Sequence, residues 1–132
     1  MARIGVAIAD ELGFMAHPRP FVPARPPARA LAEILRLVRH EHVTRLLVGL
    51  PRNMDGREGM AARRVRKFVA SLEEKTNLPI ELVDERLSTV EAQARLHAAG
   101  RTEKSSRTRI DSASAAILLQ SWLDGRGRRD LP

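Results

Sequence analysis

The sequence LLVGLPRNMDGREG, residues 46–59, decides the fold class of this chain. Its first five residues form a near-continuous apolar run that Pro51 stops, which is typical of a parallel strand buried on both faces. The loop that follows, residues 52–59, contains two glycines and an asparagine, all of them turn residues. Apolar side chains then recur on one side of residues 58–76, which predicts a helix. This order of strand, loop and helix indicates an α/β fold.

Sequence signals for further strands and helices lie on both sides of residues 46–59. Ser88 and Glu91 have the capping-box spacing that marks the start of a helix. Prolines limit residues 19–23 to an edge strand, because proline cannot donate a ladder hydrogen bond. The length predicts that residues 1–132 form a single domain. The expected elements are strand 3–9, edge strand 19–23, helix 27–42, strand 46–50, helix 58–76, strand 80–83, helix 89–98, helix 109–124 and a disordered basic tail, 125–132.

The charge of the chain favours a polyanionic partner. Lysine and arginine number 23 against 16 acidic residues, which gives a formal net charge of +7. Nucleic acid is the common partner of such a protein, although a modest excess of positive charge also serves solubility alone. Aromatic residues make up 3% of the chain and tyrosine is absent, which disfavours base stacking on aromatic platforms. Binding would then depend on the phosphate backbone and on helical shape.

Several classes of protein are disfavoured by what the sequence lacks. Without cysteine there are no disulfides and no thiolate metal sites. No run approaches the roughly 20 apolar residues of a membrane span, and the first apolar stretch is too short for a signal peptide. We therefore expect a soluble cytoplasmic protein. The four histidines have no ligand-like spacing, and the absence of Gly-rich phosphate loops and of a G-x-S-x-G motif disfavours nucleotide cofactors and serine hydrolysis.

Carboxylates are the remaining candidates for chemistry. Asp84 and Glu85 lie at the carboxyl end of a predicted parallel strand, the edge where open α/β sheets bind ligands. The alternative is a solvated strand end with Arg86 as an ion-pair partner. Asp111 lies in the first turn of the last helix, where it completes a capping box with Thr108 or helps to hold a divalent cation. Mg²⁺ usually takes one or two carboxylates with phosphate oxygens, and two such ions can promote phosphodiester hydrolysis.

Four stretches carry a family resemblance: RIGVAIAD (3–10), VGLPRNMDGREG (48–59), LPIELVDERLSTVEAQARL (78–96) and IDSASAAILLQSWLD (110–124). Taken together they resemble the successive motifs of the YqgF/RuvX family, over nearly the whole chain and in the right order. The resemblance implies an RNase H-like fold, a mixed sheet flanked by helices. It also implies a metal-dependent nuclease that hydrolyses phosphodiester bonds, either in 5′-end processing of pre-16S ribosomal RNA or as a Holliday-junction resolvase.

The resemblance also implies site residues. The family's acids come from a D-x-G motif on the first strand, from the VDER motif and from the start of the last helix. Glu85 matches the second position, with Asp84 as its neighbour and a further catalytic candidate, and Asp111 matches the third. Glu85 and Asp111 are expected to ligate Mg²⁺ or Mn²⁺. Structured nucleic acid, an rRNA precursor or branched DNA, is expected to contact polar and basic residues of the loop and the helix after strand 46–50, namely Arg52, Asn53, Arg57, Arg63, Arg64 and Lys67.

The family's first acid has no match in this sequence. Its strand precedes the segment that matches residues 3–10, where this sequence has Met1 and Ala2, and Asp10 matches a different position. The resemblance therefore implies that the first central strand is missing. The sheet would close by a new pairing, or a partner would donate a strand, or, as we favour, translation would start upstream. The rival function is a catalytically inactive nucleic-acid-binding protein, and the chain is expected to be a monomer or a homodimer.

Overall fold

The computed structural model describes residues 3–87, 90–98 and 112–129, and most of the expected elements are found there. Ser88, Thr108 and Asp111, and with them the two expected capping boxes, lie outside the described residues. None of the helices in the described ranges is long and apolar enough to cross a membrane. In chain order the elements are β1 (Arg3–Ala9), β2 (Ala16–Pro23), α1 (Pro27–His40), β3 (Leu46–Leu50), α2 (Met60–Lys75), β4 (Ile80–Asp84), a 3-10 turn (Glu85–Leu87), α3 (Val90–Ala98) and α4 (Ala113–Arg129).

The chain divides into two compact units, and the single domain expected from its length stays a prediction. The first unit comprises Val22–Arg86 and therefore α1, β3, α2 and β4. The second unit joins Arg3–Phe21 to the described residues from Leu87 onward, which include α3 and α4. Each unit contains a two-stranded sheet, so the described strands form an α/β structure with two small sheets, not the single mixed sheet expected from the sequence.

The first unit is built on the parallel pair β3 and β4, in the register Leu46↔Ile80 to Leu50↔Asp84. Helix α2 packs against this pair, and apolar residues at helical spacing form the common core, namely Leu50, Ala62, Val65 and Val69 with Val48, Ile80 and Leu82 against them. Leu50 is fully buried, but the other residues of β3 stay partly exposed. The expectation of burial along the whole strand was therefore too strong, because β3 pairs with β4 alone among the described strands.

The second unit is built on the hairpin of β1 and β2. Its turn is closed by the Asp10 N–H, which donates to the Met15 carbonyl at 2.9 Å, and by Gly13 in the left-handed region at φ 74°. Strand β2 begins three residues earlier than expected and pairs with β1 alone among the described strands, so the predicted edge position of this proline-rich segment is confirmed.

Two fully buried polar side chains hold this hairpin, Ser112 directly before helix α4 and Gln120 within it. The Val6 N–H donates to Ser112 Oγ at 3.0 Å, and the Ala16 N–H donates to Gln120 Oε1 at 2.9 Å. Gln120 Nε2 in turn donates to the Phe14 carbonyl at 2.8 Å. Side chains at the start of the last helix and within it therefore satisfy backbone groups of the hairpin.

Helix α4 continues to Arg129, beyond residue 125, where the sequence predicts that a basic tail begins. Arginine is a good helix former, and the two glycines in this stretch are not sufficient to end the helix. The described part of the basic segment is thus helical. Residues 130–132 lie outside the described ranges.

Candidate active site at the carboxyl ends of two parallel strands

The candidate site lies where β3 and β4 end. Because the strands are parallel and Leu50 is in register with Asp84, the residues after both strands meet at one edge. Strand β3 leads into Pro51 and Arg52, and β4 leads into Glu85. The structure therefore places the Arg52 loop beside the Asp84–Glu85 pair.

Asp84 is held in an arginine clamp, by which we mean its contacts with Arg86 and Arg52. The Arg86 guanidinium donates to both Asp84 oxygens, with Nη2 to Oδ2 at 2.7 Å and Nε to each oxygen at 3.1 Å. The Arg86 backbone N–H donates to Oδ1 at 2.8 Å, and Arg52 Nε lies 3.7 Å from Oδ2. The side-chain hydrogen bond from Arg86, its backbone N–H and the charges of the two arginines lower the pKa of Asp84 to about 2.

The arginine clamp predicts a pH dependence. The depressed pKa means that the clamp stabilises the folded chain above the unfolded pKa of about 3.9, and that this contribution is lost as the pH falls from about 4 towards 2. In Arg86→Met we expect the Asp84 pKa to rise by about one unit, since Arg52 remains. Carboxyl ¹³C NMR titration measures this pKa. Arg45→Met is the matched control, because Arg45 pairs with Glu81 instead, and an unchanged Asp84 pKa in Arg86→Met would contradict the assignment.

The clamp makes Asp84 a poor ligand for a divalent cation. Both of its oxygens already accept hydrogen bonds, and a cation would have to approach beside two guanidinium groups. Glu85, which opens the 3-10 turn, has an exposed side chain and suits the one or two carboxylates that Mg²⁺ usually takes. Within 3–87, 90–98 and 112–129, no group of three histidine, cysteine or acidic residues could hold a metal. Asp111 lies outside these ranges.

The loop after β3 forms a small hairpin over this edge. The Asn53 N–H donates to the Arg57 carbonyl and the Gly56 N–H donates to the Asn53 carbonyl, both at 2.9 Å. Gly56 is in the left-handed region at φ 86°, and a Cβ added to it would lie 3.9 Å from Arg86 Nη1. The Asn53 side chain packs on Gly59, which precedes α2. This loop hairpin, residues 53–57, is thereby fixed against both Arg86 and the start of α2.

The residues predicted to contact nucleic acid differ in their exposure and in their neighbours. Arg52 is only partly exposed and faces Asp84, whereas the Arg57 side chain is 86% exposed beside Asp55. On α2, Arg63, Arg64 and Lys67 are exposed.

Arg66, on the same helix, is bound instead to Glu58. Its Nε and Nη2 donate to the two Glu58 oxygens at 2.6 and 2.7 Å, and these hydrogen bonds lower the pKa of Glu58. Sequence spacing gave no signal for this pair, because Glu58 lies before α2 begins and its partner is eight positions away. By contrast, the ion pair of Arg86 with Asp84 is the contact named in the alternative interpretation of this strand end.

Comparison with known proteins agrees with this α/β architecture. The family described as "RuvX: Holliday junction resolvase" matches residues 1–125. A protein of Anaeromyxobacter dehalogenans is 47% identical over 94% of this chain and 90% of its own length, and one of Chloroflexus aggregans is 43% identical over 94% and 87%. A protein of Maridesulfovibrio salexigens is 37% identical over 92% and 90%. All three carry the name "Putative pre-16S rRNA nuclease". The chain therefore belongs to the YqgF/RuvX family, as its motifs predict.

Proposed function

We propose that this protein is a metal-dependent nuclease that hydrolyses phosphodiester bonds of structured nucleic acid, with the 5′ end of pre-16S ribosomal RNA as its first candidate substrate. The names of its relatives support this proposal. The observation that carries it is the position of Glu85, an exposed carboxylate at the carboxyl ends of two parallel strands, next to an arginine-rich loop. That edge is where open α/β sheets bind their ligands.

In this proposal Glu85 and Asp111 are the carboxylates that hold Mg²⁺ or Mn²⁺. The bound cation would supply charge stabilisation and an activated water for hydrolysis. Asp84 is a positioning residue, which fixes the Arg86 guanidinium under the loop hairpin. Because Asp84 remains ionised well below neutral pH, this support stays in place wherever the nuclease would act.

Basic side chains would bind the phosphate backbone. Arg57 extends into solvent from the loop hairpin, and Arg63, Arg64 and Lys67 are exposed on α2. Arg52 and Asn53 hold the loop and lie closest to the strand ends. Contacts of this kind give affinity and orientation without reading sequence, which suits recognition by shape.

The experiment that tests the proposal is a cleavage assay on two substrates. One is an RNA that carries the 5′ precursor extension of 16S ribosomal RNA, and the other is a four-way DNA junction. We expect cleavage that requires Mg²⁺ or Mn²⁺ and stops when the metal is chelated. Cleavage confined to the RNA supports the rRNA function, and cleavage confined to the junction supports a resolvase.

The second candidate function is binding without catalysis. It is favoured by the arginine clamp, which already compensates the charge of one of the two acids at the strand ends. Salt-dependent binding of the same RNA, with no cleavage in either metal, would support this candidate over the nuclease.

Either function predicts a measurable role for the exposed face of α2. Replacing Arg63 and Lys67 together by alanine should weaken binding for all sequences alike and lower the slope of log affinity against log salt by about 2. Fluorescence anisotropy over a series of salt concentrations measures the slope. The matched control is Arg29→Ala with Arg39→Ala, two exposed cations of α1 whose loss changes the net charge equally. Equal effects of the two double variants would remove the α2 face from the binding surface.

A further inference from the structure

The loop hairpin presents a fully exposed methionine, Met54, at its tip. The turn is closed on both sides of the tip by the hydrogen bonds of Asn53, Gly56 and Arg57. Asp55 completes it, because its carboxylate accepts the Arg57 N–H at 2.9 Å. These hydrogen bonds and the left-handed Gly56 set the shape of the turn without any contribution from the Met54 side chain.

The position of Met54 therefore calls for a role outside the fold. Its side chain is fully exposed, so it contributes no apolar burial to the stability of the fold. The thioether is flexible and apolar. Two cations flank it along the chain, with Arg52 on the strand side and the exposed Arg57 on the helix side. An apolar protein groove is a poor partner for this segment, because it would bury the charges of the arginines. Nucleic acid suits it better, since phosphates can pair with the arginines and the stacked bases offer an apolar surface to the methionine.

We infer that Met54 is a wedge that inserts into a loosened base step of the nucleic acid, while the exposed Arg57 contacts a phosphate beside that step. Methionine is among the side chains that proteins insert between base steps, where it contacts the base faces and opens the stack. Insertion is cheapest where a base is already unpaired or poorly stacked. The wedge thus selects a helix that is interrupted by an unpaired nucleotide over one that is continuous.

This inference rests on the proposed function, because it requires that the strand-end site acts on nucleic acid. It adds the class of substrate, a duplex with an interruption, and a residue that recognises it. A loop that only neutralises phosphates would not discriminate between continuous and interrupted helices.

The test uses the full chain with paired duplexes that carry 2-aminopurine, either beside a single unpaired nucleotide or in a continuous helix. RNA and DNA versions are made of each. We expect the wild-type protein to raise 2-aminopurine fluorescence in the interrupted duplex, and we expect Met54→Gln to abolish the rise. The affinity of Met54→Gln for the interrupted duplex should fall about tenfold, since burial of one apolar side chain is lost. Its affinity for the continuous duplex should not change.

Two variants control for general effects. Met54→Leu keeps an apolar side chain of similar size and should retain the fluorescence rise. Met60→Gln makes the same change as Met54→Gln at another exposed methionine, at the start of α2, and should behave as the wild type. A response with RNA or with DNA supports the wedge. Binding by Met54→Gln with the full fluorescence rise overturns the wedge alone, whereas failure of the wild type to bind any of the duplexes overturns the proposed function as well.

Discussion

Glu85→Gln is expected to abolish metal-dependent cleavage while leaving the fold intact. The substitution keeps the size of the side chain but removes the negative charge that would hold the cation. Loss of a group that only orients a metal ligand costs about 10- to 100-fold in activity, so loss of a ligand should cost about a hundredfold or more. The fold should survive, because Glu85 is exposed and the strand pairing ends one residue before it. Initial rates at saturating Mg²⁺ or Mn²⁺ measure the effect.

Two further variants make this prediction specific. Asp111→Asn should reduce cleavage to the same extent, because the proposed function makes it the second carboxylate that holds the cation. Glu81→Gln is the matched control, since Glu81 lies on β4, four residues before Glu85, and is paired with Arg45 at 3.6 Å, and it should keep full activity. Retained cleavage in Glu85→Gln would remove Glu85 from the site, and equal loss in Glu81→Gln would indicate a general effect of charge.

The strands and the loop that meet at the strand ends could be predicted, because their signals in the sequence are local. An apolar run closed by Pro51 defines β3, and Pro79 marks the start of β4. Parallel pairing then follows from the helix between them, since parallel strands need such a crossover. Gly56 predicts the turn of the loop hairpin in the same way.

The division of roles between Asp84 and Glu85 could not be predicted from the sequence. The two acids are adjacent and chemically alike, and strand periodicity indicates only that they point to opposite faces. Their difference arises in three dimensions. Arg86 folds back onto Asp84, and Arg52 reaches the same carboxylate from the neighbouring strand end.

The second unit was predicted less well, because its stability depends on contacts distant in sequence. The Ser112 hydroxyl and the Val6 N–H are 106 positions apart, and no local pattern pairs them. The helical pattern around Ala116 suggested a helix buried on most sides, but it gave no reason for a glutamine at its centre. That reason is supplied by the hairpin, whose backbone groups Gln120 satisfies.

Gln120→Leu is expected to destabilise the second unit strongly, although it replaces a polar side chain by an apolar one of similar size. The substitution leaves the buried N–H of Ala16 without its partner, at about 1–3 kcal/mol, and also removes the hydrogen bond to the Phe14 carbonyl. Urea unfolding measures the loss, and the Ala16 amide should exchange with solvent faster in the variant. Gln93→Leu, the same change at an exposed position of α3, should alter stability by less than about 0.5 kcal/mol. A Gln120→Leu protein as stable as the wild type would mean that the hairpin finds other partners, and that the last helix is not fixed to it through this side chain.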